Sequence, residues 1–157
     1  MNRKIVYRTY LESPIGILCL EADDEALLSL HVAGSGAAIR YRELRSKREI
    51  DTLEQIEQGE AERIVEQQES EILNLAEQEL REYFAGERKE FTVPVFLQGT
   101  DFQLKVWNAL REIPYGEMCS YGEIARKIGN PKACRAVGGA NNRTPVMIFI
   151  PCHRVVL

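Results

Sequence analysis

The chain has 157 residues, 45% of them apolar and 28% charged, with a net charge of −4. This ordinary globular composition excludes disordered and fibrous classes and leaves room for one generous domain or two small ones. No apolar run is long enough to span a membrane and "MNRKIVYRTYLESP" lacks a signal peptide's apolar stretch, so a cytoplasmic protein without a membrane partner is expected.

The opening "KIVYRTYLESPIGILCLEADDEALLSLHVAG" reads as a small antiparallel meander. Val6, Arg8 and Tyr10 alternate with Ile5, Tyr7, Thr9 and Leu11, "ESPIG" supplies a reversal, and "DDE" parts the next two runs. Residues 36–70 are rich in Glu and Gln, with weak helical periodicity. "EILNLAEQELREYFAGE" then places Ile72, Ala76, Leu80, Tyr83 and Phe84 on one helical face, with Gly86 as the stop. "FTVPVFLQG" reads as an extended linker, which puts a domain boundary near residue 95.

"TDFQ" predicts a capping box, Thr100 as N-cap and Gln103 three residues on. The helix it opens buries Phe102, Val106, Ala109, Leu110 and Ile113. "SYGE" predicts a second box, Ser120 with Glu123, for a short helix that Gly129 ends. Asn130 and Pro131 then read as the cap and first residue of a third helix, "PKACRAVGGANN". Two short helices joined by a Gly-containing turn, the second carrying Lys132 and Arg135, read as a helix-turn-helix, with a hairpin used only for packing as the alternative.

Residues 92–157 hold eight Lys or Arg against four acids, a net of +4, which leaves −8 for the rest of the chain. That asymmetry suggests a polyanion partner for the C-terminal half only. The third helix is mostly small, with Ala133, Ala136, Gly138, Gly139 and Ala140, so it offers little to read base edges in a major groove. Small residues permit close approach, either to another helix or to the floor of a minor groove. Arg135 is the one long cation in that bare stretch, of the kind minor-groove proteins use to hold a distortion open.

Cys19, Cys119, Cys134 and Cys152 are widely spaced without a CxxC pair and read as free thiols. Cys152 lies in "IFIPCHRVVL". A thiol attacks as its thiolate, which a neighbouring imidazole, cation or helix N-terminus favours. His153 and Arg154 are adjacent, although consecutive side chains on a strand face opposite ways. Pro151 stiffens the entry and biases Ile150 toward an extended conformation. Spacing alone leaves a nucleophilic and an incidental cysteine both open.

"IPCHRVV", preceded by "RAVGGA" and "SYGEIARKIGNP", closely resembles the O6-alkylguanine-DNA alkyltransferases of bacterial type, the methylated-DNA–protein-cysteine methyltransferases. "SPIGILCLEAD" and "LREYFAGE" resemble the same family more loosely. The resemblance implies an α/β protein: a small N-terminal α/β domain with an antiparallel sheet (1–95), then a mainly helical C-terminal domain with a helix-turn-helix (96–157). It implies direct-reversal repair, in which an alkyl group passes once from O6-alkylguanine in double-stranded DNA to Cys152, with O4-alkylthymine a further substrate. His153 would relieve Cys152 of its proton through a water. Tyr121 would bond the extruded guanine, and Arg135 would take the place of the flipped nucleotide, with Ala136 and Gly138 beside it on the DNA. The backbone carbonyls of Cys152 and Val155 would accept from the guanine's exocyclic amine.

No cofactor is implied, and no metal is expected, since Cys19 and His31 are two ligands where a structural zinc needs four. A monomer is expected. Two departures stand out. The family pattern has asparagine before the proline where this chain has Thr144, with Asn141 and Asn142 nearby but out of register. It also continues past "CHRVV" with a pocket loop and a glutamate-bearing helix, so the chain reads as truncated at Leu157. The competing readings are a non-catalytic binding protein for alkylated DNA and a thiol hydrolase using Cys152 and His153.

Overall fold

Alternation at the start of the chain produces the expected meander, in which β1 (Lys4–Ser13), β2 (Gly16–Ala22) and β3 (Leu27–Val32) pair antiparallel in turn. The computed structural model describes residues 4–34, 62–66 and 70–156. Gly16 makes the first reversal at φ 121°, a conformation that favours glycine. In the second, Asp23 Oδ1 accepts from the amides of Glu25 and Ala26, each at 2.8 Å. A fourth strand, β4 (Glu62–Glu66), joins β1 in parallel, so the sheet order is β3-β2-β1-β4. The weakly helical reading of residues 36–70 lies mostly outside the described residues. Where it is described it gives way to this strand, because the edge of β1 offers an open ladder and Ile64 and Val65 suit it.

Helix α1 (Glu71–Phe84) is capped by Ser70, whose hydroxyl accepts from Leu73 N. It packs against the meander. Its buried residues are Leu73, Ala76, Glu79 and Leu80, whereas Ile72, Tyr83 and Phe84 are only half-buried. The stripe is thus set by Leu73 and Leu80, two turns apart, rather than by the aromatic pair. Leu18, Leu20, Leu27 and Leu30 are fully buried in this core, each contributing about 1.5–3 kcal/mol.

Glu79 is the unexpected member of the face, 0% exposed. Its carboxylate accepts from Thr92 N (2.8 and 3.0 Å), Thr92 Oγ1 (2.9 Å) and Val93 N (2.9 Å), and pairs with Arg88 at 2.9 Å. These bonds dock the start of the presumed linker. Leu27 N donates to Pro94 O and Phe96 N to Leu27 O, so residues 92–96 run along β3 as part of the domain. The chain divides into two compact units, Met1–Phe96 and Leu97–Leu157.

The second unit opens with α2 (Asp101–Leu110) and a complete capping box: Gln103 N donates to Thr100 Oγ1 and Thr100 N to Gln103 Oε1. Val106, Ala109, Leu110 and Ile113 are buried as expected, but Phe102 is only half-buried and Trp107, at 2% exposure, takes its place. The indole Nε1 donates to Ala140 O at 2.9 Å. Then come β5 (Cys119–Ser120), α3 (Tyr121–Lys127), α4 (Cys134–Asn142), a 3-10 turn (Cys152–Arg154) and β6 (Val155–Val156). Helices α3 and α4 pack together.

Ser120 caps α3 by accepting from Glu123 N at 3.0 Å. The predicted start of the next helix is displaced. It begins at Cys134 without a side-chain cap, not at Pro131 behind Asn130. The reason is that Asn130 ends α3: Asn130 N donates to Ala125 O and Gly129 N to Arg126 O, with Gly129 at φ 82°. That double bond is a Schellman motif, and it commits Asn130 to the preceding helix.

Candidate active site

The apolar lead-in to Cys152 is not the extended segment its sequence suggests. Val146, Ile148, Phe149 and Ile150 are all buried, with no alternation. Ile150 N donates to Val146 O at 3.0 Å, and Phe149 N to Met147 O at 2.9 Å. The second bond closes a three-residue turn around Ile148 at φ 72°, a left-handed conformation that strains a β-branched residue. A second tight turn follows at Pro151 (φ −78°, ψ 62°), where Cys152 N donates to Ile150 O at 2.7 Å. Cys152 and His153 then lie on a single helical turn instead of a strand.

This folding gathers hydrogen-bond donors around one sulfur. Cys152 is half-buried, and burial pushes its thiol above the ordinary value. The nearby Thr144 hydroxyl and the amides of the loop around the sulfur, among them those of His153 and Ile148, pull in the opposite direction, toward the thiolate. Thr144 Oγ1 also lies 2.7 Å from Asn141 O, to which it donates. A hydroxyl has one proton and two acceptor positions, so it can serve the carbonyl while the sulfur is a thiol and the sulfur once it is a thiolate.

Asn141, which the sequence left out of the site, is buried at the end of α4. Its Nδ2 donates to Cys152 O at 3.3 Å. The same carbonyl also accepts from Val155 N. His153 is exposed, yet partial burial of its ring and the nearby Arg154 lower its pKa, so the imidazole is neutral at physiological pH. Arg154 turns away to the end of α2: its Nη1 donates to Ile113 O at 2.8 Å, and its guanidinium lies 5.6 Å from the Tyr115 ring centroid.

Strands β5 and β6 link the start of α3 to the segment after the cysteine. These strands pair in parallel, Cys119 with Val155 and Ser120 with Val156. Tyr121, the first residue of α3, is thereby held beside the strand that follows Cys152. Gly138 backs onto it: a Cβ there would lie 3.7 Å from the Tyr121 ring. Arg135 and Ala136 are exposed on α4, opposite the buried Val137, Ala140 and Asn141. One short helix therefore shows an arginine to solvent and an amide to the cysteine loop. In the other unit Cys19 and His31 are cross-strand partners, and no group of three His, Cys, Asp or Glu that could hold a metal occurs among the described residues.

Comparison with known proteins bears on what this arrangement is for. Residues 6–97 match the family profile described as 6-O-methylguanine DNA methyltransferase, ribonuclease-like domain, and residues 101–157 match the DNA binding domain of the same name. The chain belongs to the O6-methylguanine DNA methyltransferase family. The methylated-DNA–protein-cysteine methyltransferase of Methanosarcina acetivorans is 43% identical over 96% of this chain and 83% of its own length. The constitutive enzyme of that name from Bacillus subtilis is 41% identical over 96% and 80%. Among solved structures, O6-methylguanine methyltransferase of Mycobacterium tuberculosis superposes with a TM-score of 0.73 at 37% identity, covering 96% of this chain and 78% of that one. The M. tuberculosis protein in complex with DNA gives the same TM-score and coverage at 39% identity. For a member of this methyltransferase family, the geometry presents a half-buried cysteine whose carbonyl is tied by Asn141 to a helix with an exposed arginine.

Proposed function

We propose that this protein reverses alkylation damage in double-stranded DNA by taking the alkyl group from O6-alkylguanine onto Cys152 Sγ. The thiolate attacks the alkyl carbon from the face opposite O6. The S–C bond forms as the C–O6 bond breaks, and the electron pair passes to the guanine, which takes up a proton. Because a thioether is stable, each molecule acts once. A stacked base cannot present the back of its O6 alkyl group to a protein sulfur, so the nucleotide leaves the helix, with Arg135 filling its place and Tyr121 meeting the base. His153, neutral at physiological pH, is the acceptor for the thiol proton through a water.

The observation that carries this reading is the half-buried Cys152 on a single helical turn, at the end of a strained loop and with the Thr144 hydroxyl near its sulfur, in a chain of this family. A cysteine kept only for packing has no use for such surroundings. The test is intact mass after exposure to an oligonucleotide with O6-methylguanine. One added methyl per molecule, mapped to Cys152, is expected; an unchanged mass with DNA bound would favour a non-catalytic binder. Cys152→Ala is expected to abolish transfer and keep DNA affinity, since the thiol makes no phosphate contact. The same assay with O4-methylthymine decides whether that base is a substrate too.

A further inference from the structure

Thr144 stands where the family pattern has asparagine, and its hydroxyl has two neighbours. One is Asn141 O, to which Oγ1 donates at 2.7 Å. The other is the sulfur of Cys152. Asn141 O also accepts from Thr144 N at 3.3 Å, so that carbonyl keeps a donor if the hydroxyl proton turns away. Only the O–H bond has to rotate, because the oxygen already lies beside both groups. A neutral thiol, a weak acceptor, has little claim on that proton against a carbonyl. A thiolate has a strong one, since hydrogen bonds to an ionised partner are roughly twice as strong as neutral ones. Asn141 holds this geometry from the end of α4. Its Nδ2 donates to Cys152 O at 3.3 Å while its own carbonyl receives Thr144, so one residue ties both the cysteine backbone and the threonine.

We propose that Thr144 is a further catalytic residue, whose hydroxyl proton swings from Asn141 O to Cys152 Sγ as the thiol ionises and so holds the thiolate ready for attack. The inference deepens the repair function above and rests on it for the fate of that thiolate. The proton leaving the sulfur passes to His153 through a water, as there; Thr144 lends a hydrogen bond and gives up no proton. Once the alkyl group is on the sulfur the charge is gone, and the hydroxyl returns to Asn141 O. Burial and uncharged hydrogen-bonding groups dominate at the sulfur. The ionisable groups around it have other engagements. On the cysteine's own turn His153 is neutral and Arg154 is bonded to Ile113 O. Arg135 is exposed on α4. From β5 and α3, Cys119 is hydrogen-bonded to Glu123, with Glu117 and Lys127 near that thiol.

The experiment uses Thr144→Val, which keeps the branched shape and removes the hydroxyl. Alkylation by iodoacetamide across a pH series, followed on the peptide that bears Cys152, reads the thiol's titration without DNA. The valine variant is expected to titrate about one pH unit above the wild type. Its transfer from a duplex carrying O6-methylguanine is expected to be about tenfold slower at pH 7. Thr144→Ser restores the hydroxyl and is expected to recover both. Should the valine variant fail to fold, Thr144→Ala is expected to show the same upward shift. A variant without the hydroxyl that titrates as the wild type does, even if its transfer is slow, would overturn the assignment and leave the repair reading standing. A serine variant as shifted as valine would overturn it too. A wild type whose Cys152 titrates but gains no methyl from the duplex would overturn the repair reading, and the catalytic role of Thr144 with it.

Discussion

In the N-terminal unit the carboxylate of Glu79 is fully buried, and both oxygens are taken by Thr92, Val93 and Arg88. In the C-terminal unit Asn141 is almost as buried, yet its carboxamide makes one long hydrogen bond and its oxygen has no partner among the described residues. A saturated buried group leaves nothing for a ligand and serves to fix one loop in one place. A half-satisfied one fixes its loop less firmly, since an unpaired buried acceptor lowers stability. The backbone follows the same division. The first unit is built on strand ladders, whereas the second holds the one described non-glycine residue at positive φ, Ile148, four residues before the candidate nucleophile.

This contrast can be broken or sharpened by experiment. The largest effect is expected at Glu79. Glu79→Ala leaves two buried backbone amides without their acceptor and takes one carboxylate from Arg88, and is expected to cost about 3 kcal/mol in urea unfolding. A loss below 1 kcal/mol would show that the carboxylate is dispensable and the contrast with Asn141 empty.

On the other side of the comparison stands the sulfur. Burial raises the Cys152 pKa, so at neutral pH the thiolate is the minor form and the transfer rate follows its growth. The rate is expected to climb about tenfold per pH unit above pH 7 until the raised pKa is reached. His153, with its pKa lowered, is already neutral there and adds no second inflection. A flat profile between pH 7 and 9 would mean that the sulfur is ionised before substrate arrives.

Arg135→Ala is expected to slow transfer from duplex DNA about tenfold, the scale of an unstacking cost no longer offset, and to leave the reaction with free O6-benzylguanine unchanged. Equal slowing of both would place Arg135 in the fold rather than on the DNA. The smallest effect is expected at Trp107, where the C-terminal unit has a saturated bond of its own. Trp107→Phe removes the bond to Ala140 O and is expected to cost about 1 kcal/mol, read as a shift in the urea midpoint with transfer kinetics unchanged.

What the sequence made legible was local. The Thr100–Gln103 capping box, the Ser120 cap and the stop at Gly129 all depend on residues within one turn of one another, and each forms where expected. Asn130 misled because a cap-forming residue carries no sign of which of two helices will claim it, and the Schellman bonds to Ala125 and Arg126 decided that. Glu79 was hidden because its partners lie 13 and 14 residues downstream, in a stretch that reads as a linker. Asn141 was hidden for the same reason, its partner being a backbone carbonyl 11 residues away, which no pattern of side chains announces. The turns at Ile148 and Pro151 escaped because an apolar run before a proline reads as a strand until tertiary burial folds it up. The family resemblance suggested the cysteine's role, and the structure supplied the turns that place it.

Between Thr144 and Val155 the backbone amides of Thr144, Phe149, Ile150, Cys152, Arg154 and Val155 are each spent on a carbonyl two to four residues back. Such a segment has no slack. A change of side chain alters one contact, but adding or removing a single residue would shift every later bond and turn the sulfur out of its place. Mutational tolerance here should therefore be asymmetric. The stretch is fixed first in its number of residues and only second in their identity, as a spacer is, so a one-residue insertion after Pro145 would silence the site more thoroughly than most substitutions along it.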